Sequence, residues 1–220
     1  MTIFPNFWPK PARQARAGQY VRLSPLQADE DSDELYRSGH EPKSALYIWQ
    51  HLPYGPFENR DAMHAWLLGV QDGSDPLFFA VGCQRSGRRV GMISILRIAL
   101  EHGCAELGHI WYGVEVQRTP VNTESVFLLL KHLFDDLGYR RVEWKCDAEN
   151  VRSRAAALRL GFEFEGVFRQ HMVVKGRNRD TAWFAMLDGD WPKRRANFER
   201  WLASAGKESL SKLNGIDNSV

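Results

Sequence analysis

The sequence predicts a mixed α/β protein, one sheet with helices on both faces. Three observations lead there. Strand-length apolar runs and segments of helical period follow one another in the order strand, two helices, three strands, helix, strand, helix, two strands. Val126, Leu129, Leu130, Leu133, Phe134 and Leu137 recur at helical spacing before Gly138, an amphipathic helix with a stop signal. The chain has 220 residues, 44% hydrophobic and 25% charged, enough to bury roughly 70% of its unfolded surface in a globular core.

In chain order, residues 1–17 combine prolines, aromatics and arginines and predict an extended arm lying on the domain. "GQYVRLSPL" alternates as a short strand from Gly18. "DEDSDELYRSGHE" is acidic at its start and predicts a short helix ending at Gly39. An aromatic loop, "ALYIWQHLPYGPF", precedes a helix with Ala62, Met63, Trp66, Leu67 and Val70 on one face. Two apolar runs around Ser86-Gly87 predict a hairpin, and a further strand is expected from about Ala105 to Val116. After the long helix, "YRRVEWKCDA" is a strand with Val142, Trp144 and Cys146 facing one way. "NVRSRAAALRLG" then starts at an Asn150 cap and ends before Gly161. Strands near Phe162 to Val174 and Thr181 to Leu187 flank the turn "KGRNRD". The expected organisation is an arm (1–17), one domain (18–190), a final helix (191–206) and a disordered tail (207–220).

Composition narrows the function classes. A net charge of +2 gives no footprint for nucleic acid. Cys83, Cys104 and Cys146 are odd in number and form no CxxC pair, so they are expected to be reduced thiols of a cytoplasmic protein. No histidine spacing suits a metal, and none is expected. No apolar run suits a signal peptide or a membrane helix.

Candidate chemistry starts at "EVQRTPVNTES", Glu115 to Ser125, between a strand and a helix. The first N–H groups of a helix lack intrahelical acceptors and the helix dipole adds partial positive charge, so such an end binds phosphate without lysine. Glycine usually lines such loops, but this one has none and carries Pro120, which preorganises a first turn where its missing donor costs nothing. Either Thr119 caps the helix with Pro120 in its first position, or Asn122 caps it slightly later. Thr119, Asn122 and Thr123 supply short polar side chains and Arg118 a charge.

The segments "VEVQRTPVNTESVFLLLKHLFDDLGYRRVEWKCDAENVRSRAAALRLGF", "EGVFRQHMVVKGRNRDTAWFAML" and "GQYVRLSPL" span most of Gly18 to Trp191. Together they resemble the GNAT superfamily of acyl-CoA-dependent N-acetyltransferases, in particular the branch similar to the ribosomal-protein alanine N-acetyltransferases RimJ and RimL. The most specific part is Asn-x-x-Ser before Leu-Gly-Phe, followed by Glu-Gly-x-x-Arg. The resemblance implies a mixed, mostly antiparallel sheet of six to seven strands and acetyl-CoA as cosubstrate. It also implies transfer of the acetyl group to a primary amine, on a protein N-terminus or a small molecule, by direct attack in a ternary complex.

On that resemblance, backbone groups of Val114 and Val116 pair with the pantetheine arm, and N–H groups from Arg118 to Thr123 hold the pyrophosphate with Thr119 and Asn122. Asn150 touches the pantetheine, Ser153 lies near the sulfur, and Arg154 with Arg152 meets the 3′-phosphate. The family's loop pattern is Q/R-x-x-G-x-G/A; Gln117 and Arg118 remain here, and the glycines do not. Many members carry a tyrosine seven residues after the asparagine to protonate the thiolate, where this chain has Ala157. Ser153 or an ordered water then supplies the proton, or the sulfur leaves as thiolate.

Attack on a thioester needs a neutral nitrogen, a donor for the developing oxyanion and a route for the proton. Backbone N–H near Val114, where the strand is expected to splay, is the candidate donor. Glu106, sharing a strand face with Ile110 and Val114, is the candidate base, with His109 and Asp147 as alternatives. Trp49, Tyr54, Phe57, His109 and Trp111 are candidate walls of the acceptor pocket. The acceptor itself carries no readable motif, and a homodimer is left open. A non-catalytic acyl-CoA-binding module is the competing expectation.

Overall fold

The computed structural model of the protein describes residues 5–216. The extreme ends of the expected arm and tail, residues 1–4 and 217–220, lie outside the described residues. One sheet holds eight strands: β1 (Arg16–Ala17), β2 (Val21–Pro25), β3 (Leu77–Cys83), β4 (Arg89–Ala99), β5 (Cys104–Tyr112), β6 (Arg141–Asp147), β7 (Glu163–Val174) and β8 (Arg177–Leu187). Their spatial order is β1-β2-β3-β4-β5-β6-β8-β7, and only the β5–β6 pair is parallel. This is the mixed, mostly antiparallel sheet expected, with one more strand because two residues of the arm pair with β2.

Helices α1 (Ala28–His40) and α2 (Arg60–Val70) cover one face, and α3 (Pro120–Lys131), α4 (Val151–Arg159) and α5 (Trp191–Ala203) cover the other. On the first face Leu35, Met63 and Leu67 pack with Phe78, Ala80 and Met92. On the second, Val126, Leu129 and Leu130 of α3 are buried against Ile93, Leu107 and Val142, and each such side chain contributes roughly 1.5–3 kcal/mol. The predicted apolar positions of α3 are buried, and so are Glu124, Ser125 and Phe127, because α5 covers the helix from the other side. A π turn, His132–Asp136, continues the helix to Gly138, whose φ of 65° suits the stop.

Two cross-chain anchors fix the ends of this frame. The Trp8 indole donates to the Gly138 carbonyl at 2.7 Å, holding the arm against the end of the α3 segment. The carboxylate of Glu124, buried in α3, accepts the backbone N–H groups of Gln19 (2.8 Å), Tyr20 (2.6 Å) and Val21 (2.7 Å) at the head of β2. Gly18 lies so close to that carboxylate that a Cβ there would collide with it.

Two sequence expectations change. The strand expected to reach Val116 stops at Tyr112, and Val114–Val116 form a 3₁₀ turn in which the Val116 N–H donates to the Gly113 carbonyl at 3.2 Å. Alternating valines satisfy that turn as well as a strand, because only Val116 must be buried. The tail expected to be disordered after Gly206 forms α6 (Leu210–Leu213) within the described residues. Leu210 is buried and Asn214 donates to the Arg159 carbonyl at 3.0 Å, satisfying an acceptor at the end of α4. Two leucines, Leu210 and Leu213, and the bonds that Arg194 and Asn197 donate to its end hold a segment whose composition is polar.

Replacing Glu124 with alanine strands three backbone donors. The expected loss is about 2–4 kcal/mol in urea denaturation, with Gln19 to Val21 losing hydrogen-exchange protection. A loss below about 0.5 kcal/mol would show that the clamp carries nothing.

Candidate functional site

The site begins with a defect in the sheet. β5 pairs with β6 from Cys104–Arg141 to Leu107–Trp144, and the ladder then stops although both strands continue. The cause lies on the other side of β5. Met92 pairs with Trp111 and Ser94 with Gly108, so His109 and Ile110 together oppose Ile93 in a bulge. His109 takes φ 52°, in the left-handed region that few non-glycine residues adopt, and the Ser94 hydroxyl donates to the Gly108 carbonyl at 3.0 Å beside it. The extra residue bends β5 away from β6. A cleft of about 630 Å³ opens between them, within the range of ligand sites. The β5 residues Gly108 to Tyr112 line one wall and the β6 residues Trp144 to Asp147, with the start of α4, the other.

At one end of the cleft lies the junction singled out in the sequence. Thr119 caps α3, accepting from the Val121 N–H at 3.4 Å, and Pro120 takes the first helical position, which settles the choice of cap. Asn122 lines the cleft and Arg118 is exposed, with φ 61°. Thr123 points the other way: its buried hydroxyl accepts from the Arg159 guanidinium at 3.0 Å. Val114 and Val116 do not line the cleft, because the strand ended before them; the open edge of β5 runs from Gly108 to Tyr112.

Asn150 caps α4 by accepting the Ser153 N–H at 3.0 Å, which leaves its amide NH₂ available to the cleft it lines. The Ser153 oxygen accepts the Trp144 indole N–H at 3.0 Å, so the hydroxyl keeps its own proton to donate. Arg152 lies over the Tyr47 ring at 4.3 Å and lines the cleft. Arg154 turns away, to the Ala148 carbonyl (3.3 Å) and the Phe164 ring (5.7 Å).

The far end is charged. Buried Glu106 has one carboxylate oxygen 3.1 Å from both the Arg97 Nε and the Lys145 Nζ, at ion-pair distance but without aligned hydrogen bonds. Burial pushes its carboxyl above the ordinary range, and Lys145 and Arg97 oppose that push. Lys145 also meets Glu143 at 2.6 Å and lies over the Trp183 ring at 3.7 Å. Asp147 and His51 are 3.0 Å apart.

His109 lines the cleft, packed by Phe78 (4.9 Å between ring centres) and Tyr54 (5.6 Å), with Nδ1 buried and without a partner. Burial, assisted by Arg97, pushes its pKa down to about 4, so the ring is neutral at neutral pH. Trp111 lines the cleft too. Trp49, Tyr54 and Phe57 do not; they form the aromatic core under α1 and α2, where the Trp49 indole donates to the Gly39 carbonyl at 2.8 Å. An aromatic wall and an aromatic core look alike in sequence.

Of the expected residues, the cleft therefore gathers Glu106, His109, Trp111, Asn122, Asp147, Asn150, Arg152 and Ser153. Sequence reasoning missed Trp144 and Lys145 as polar partners. The period of β6 was their signal, since it puts Trp144 on the face toward α4 and Lys145 on the opposite one. Among the described residues no group of three or more His, Cys, Asp or Glu side chains is placed to hold a metal ion, and no helix is long and apolar enough to cross a membrane.

Comparison with known proteins adds three findings. Residues 21–163 match the acetyltransferase (GNAT) domain family. The chain is similar to a GCN5-related N-acetyltransferase from Brucella melitensis, with 44% identity, a TM-score of 0.92, and coverage of 96% of this chain and 98% of that one. Among curated relatives, YdaF of Bacillus subtilis, provisionally named a ribosomal N-acetyltransferase, is 29% identical over 50% of this chain, a match that spans only 60% of YdaF. The ribosomal-protein-serine acetyltransferase of Escherichia coli is 24% identical over 66% of this chain and 82% of its own length.

The buried neutral His109 makes stability fall in acid. Its pKa drops from 6.5 to about 4 on folding, so between those values the unfolded chain binds the extra proton, and stability is lost as pH falls through that window. Urea denaturation at pH 7 and pH 4.5 should show the wild type losing roughly 2–3 kcal/mol more than His109→Phe. Equal losses would mean that His109 is protonated in the fold.

Proposed function

The chain belongs to the GNAT acetyltransferase family, and from that premise we propose that it moves the acetyl group of acetyl-CoA to a primary amine by direct attack in a ternary complex. The single observation that carries the proposal is the parting of β5 from β6 beyond Leu107 and Trp144. It leaves two strand edges with free backbone groups facing a cleft, and an extended chain such as the pantetheine arm is the ligand that such edges accept. The remaining fit is of the same kind. The first turn of α3, capped by Thr119 and preset by Pro120, offers N–H groups to phosphate, and Asn122 and Arg152 line the way to it. Asn150 offers its amide to the pantetheine.

We assign delivery of the proton to the departing sulfur to Ser153, whose hydroxyl hands its proton on while taking one from solvent in the open cleft and so stays neutral. The Trp144 N–H occupies one lone pair of its oxygen and orients the hydroxyl, which compensates for Ala157 where many relatives carry a phenol. The oxyanion donor moves from the expected Val114 to the bulged edge between Gly108 and Trp111, because that is where β5 parts from its neighbour. Among candidate bases, Glu106 has the strongest case: burial raises its proton affinity against the pull of Lys145 and Arg97, whereas His109 at about 4 is too weak and burial does nothing comparable for the half-buried Asp147 beside His51. The acceptor is a protein N-terminus or a small-molecule amine in the cytoplasm. The names of YdaF and of the E. coli enzyme support the former.

Incubation with acetyl-CoA and a panel of amines and N-terminal peptides should release free thiol with at least one acceptor. Binding of acetyl-CoA with no release across the panel would favour the non-catalytic module instead. Ser153→Ala should lower kcat about 10²-fold and leave the acetyl-CoA Kd within about twofold, since Ser153 acts on the departing sulfur. An unchanged kcat removes Ser153 from the chemistry.

A further inference from the structure

We propose that the acceptor carries an oxyanion, a carboxylate or a phosphate, close to its amine, and that Arg179 receives it. The inference rests on the transfer reading above and narrows its acceptor. Arg179 lies on β8 two residues before Thr181, which pairs with Asp147 at the end of β6. Strand alternation puts its side chain on the face of Thr181 and Trp183, the face where Lys145 meets the Trp183 ring. It lines the cleft beside Met172, its partner on β7.

The surroundings form the mouth of the cleft. Lys175, at the β7–β8 turn, donates to the Trp49 carbonyl at 2.8 Å, and Asp147 meets His51 at 3.0 Å. The segment 47–53 and the β7–β8 hairpin are thus tied into a rim, with Arg179 on its inner side.

Arg179 stands apart from the other charged side chains of the cleft. Glu106 sits between Arg97 and Lys145, Asp147 is matched by His51, Arg152 rests on the Tyr47 ring, and Glu149 is exposed. The Nε of Arg179 is buried without a hydrogen-bond partner, and no ion pair among the described residues holds its guanidinium. A guanidinium is a fixed fork of donors that matches a carboxylate or phosphate in bidentate fashion. Glu106 lies between two cations, Asp147 is hydrogen-bonded to His51 and Glu149 is open to solvent, so among the described residues the charged group left without a partner on the inner side of the rim is the Arg179 guanidinium. An amine directed toward Ser153 and Glu106 by an oxyanion on Arg179 satisfies both ends of the site.

The test uses the full chain and acceptors on one scaffold: dipeptide amides beginning with aspartate or phosphoserine, against those beginning with asparagine or serine. In the wild type, kcat/KM for the charged member of each pair should exceed that of the neutral one by about tenfold or more. The ratio should fall to near one in Arg179→Gln and recover in part in Arg179→Lys, whereas a merely structural role would lower both members alike. The aspartate and phosphoserine arms identify which oxyanion is preferred. Calorimetric titration with the N-acetylated aspartyl and asparaginyl products reads the same contrast without turnover. Arg179-dependent preference for the acidic product with no thiol release would keep this inference and sink the transfer reading. Equal handling of charged and neutral partners by the wild type in both measurements overturns the proposal.

Discussion

The parallel pairing of β5 with β6 ends after four residue pairs, and the rest of the molecule is arranged around that ending. Backbone N–H and C=O groups inside a sheet almost always find partners. Here two strands run on side by side and stop supplying each other, so the facing edges open onto the cleft. The bulge at His109 produces the separation, and left-handed backbone in a non-glycine residue costs roughly 1–2 kcal/mol. Packing of the imidazole between Phe78 and Tyr54 offsets the strain and holds the ring neutral.

Both walls of the opening are fixed from behind. Glu124 ties α3 to the head of β2, so the helix end that faces the cleft cannot drift from the sheet. Trp144 ties α4 to β6 through Ser153, and the same bond that positions the helix orients the hydroxyl. On the opposite side of β6, Lys145 joins Glu106 and Glu143 in a buried ionic group. Such groups add little net stability, but breaking one leaves an uncompensated charge, so they hold geometry more than they hold the fold.

Much of this was legible in the sequence where the signal is local. The order of elements came from apolar period, and the polar starts of α3 and α4 from Thr119-Pro120 and Asn150-x-x-Ser153. What was hidden depends on partners far along the chain. A strand carrying on to Val116 and a strand ending at Tyr112 have the same alternation, and only the 3₁₀ turn that buries Val116 separates them. Thr123 reads as a phosphate-facing hydroxyl until Arg159, 36 residues on, is found against it. Trp49, Tyr54 and Phe57 carry no mark that distinguishes core from wall. Arg179 becomes visible only through the register of β8 against β6 and β7.

Hydrogen exchange with and without acetyl-CoA tests the central claim most directly. If the coenzyme occupies the parted strands, amides from Gly108 to Tyr112 and in the first turns of α3 and α4 gain protection, while Cys104 to Leu107, already paired with β6, stay unchanged. Saturating acetyl-CoA that protects only segments outside the cleft, or none, would show that the opening between β5 and β6 is not the coenzyme site.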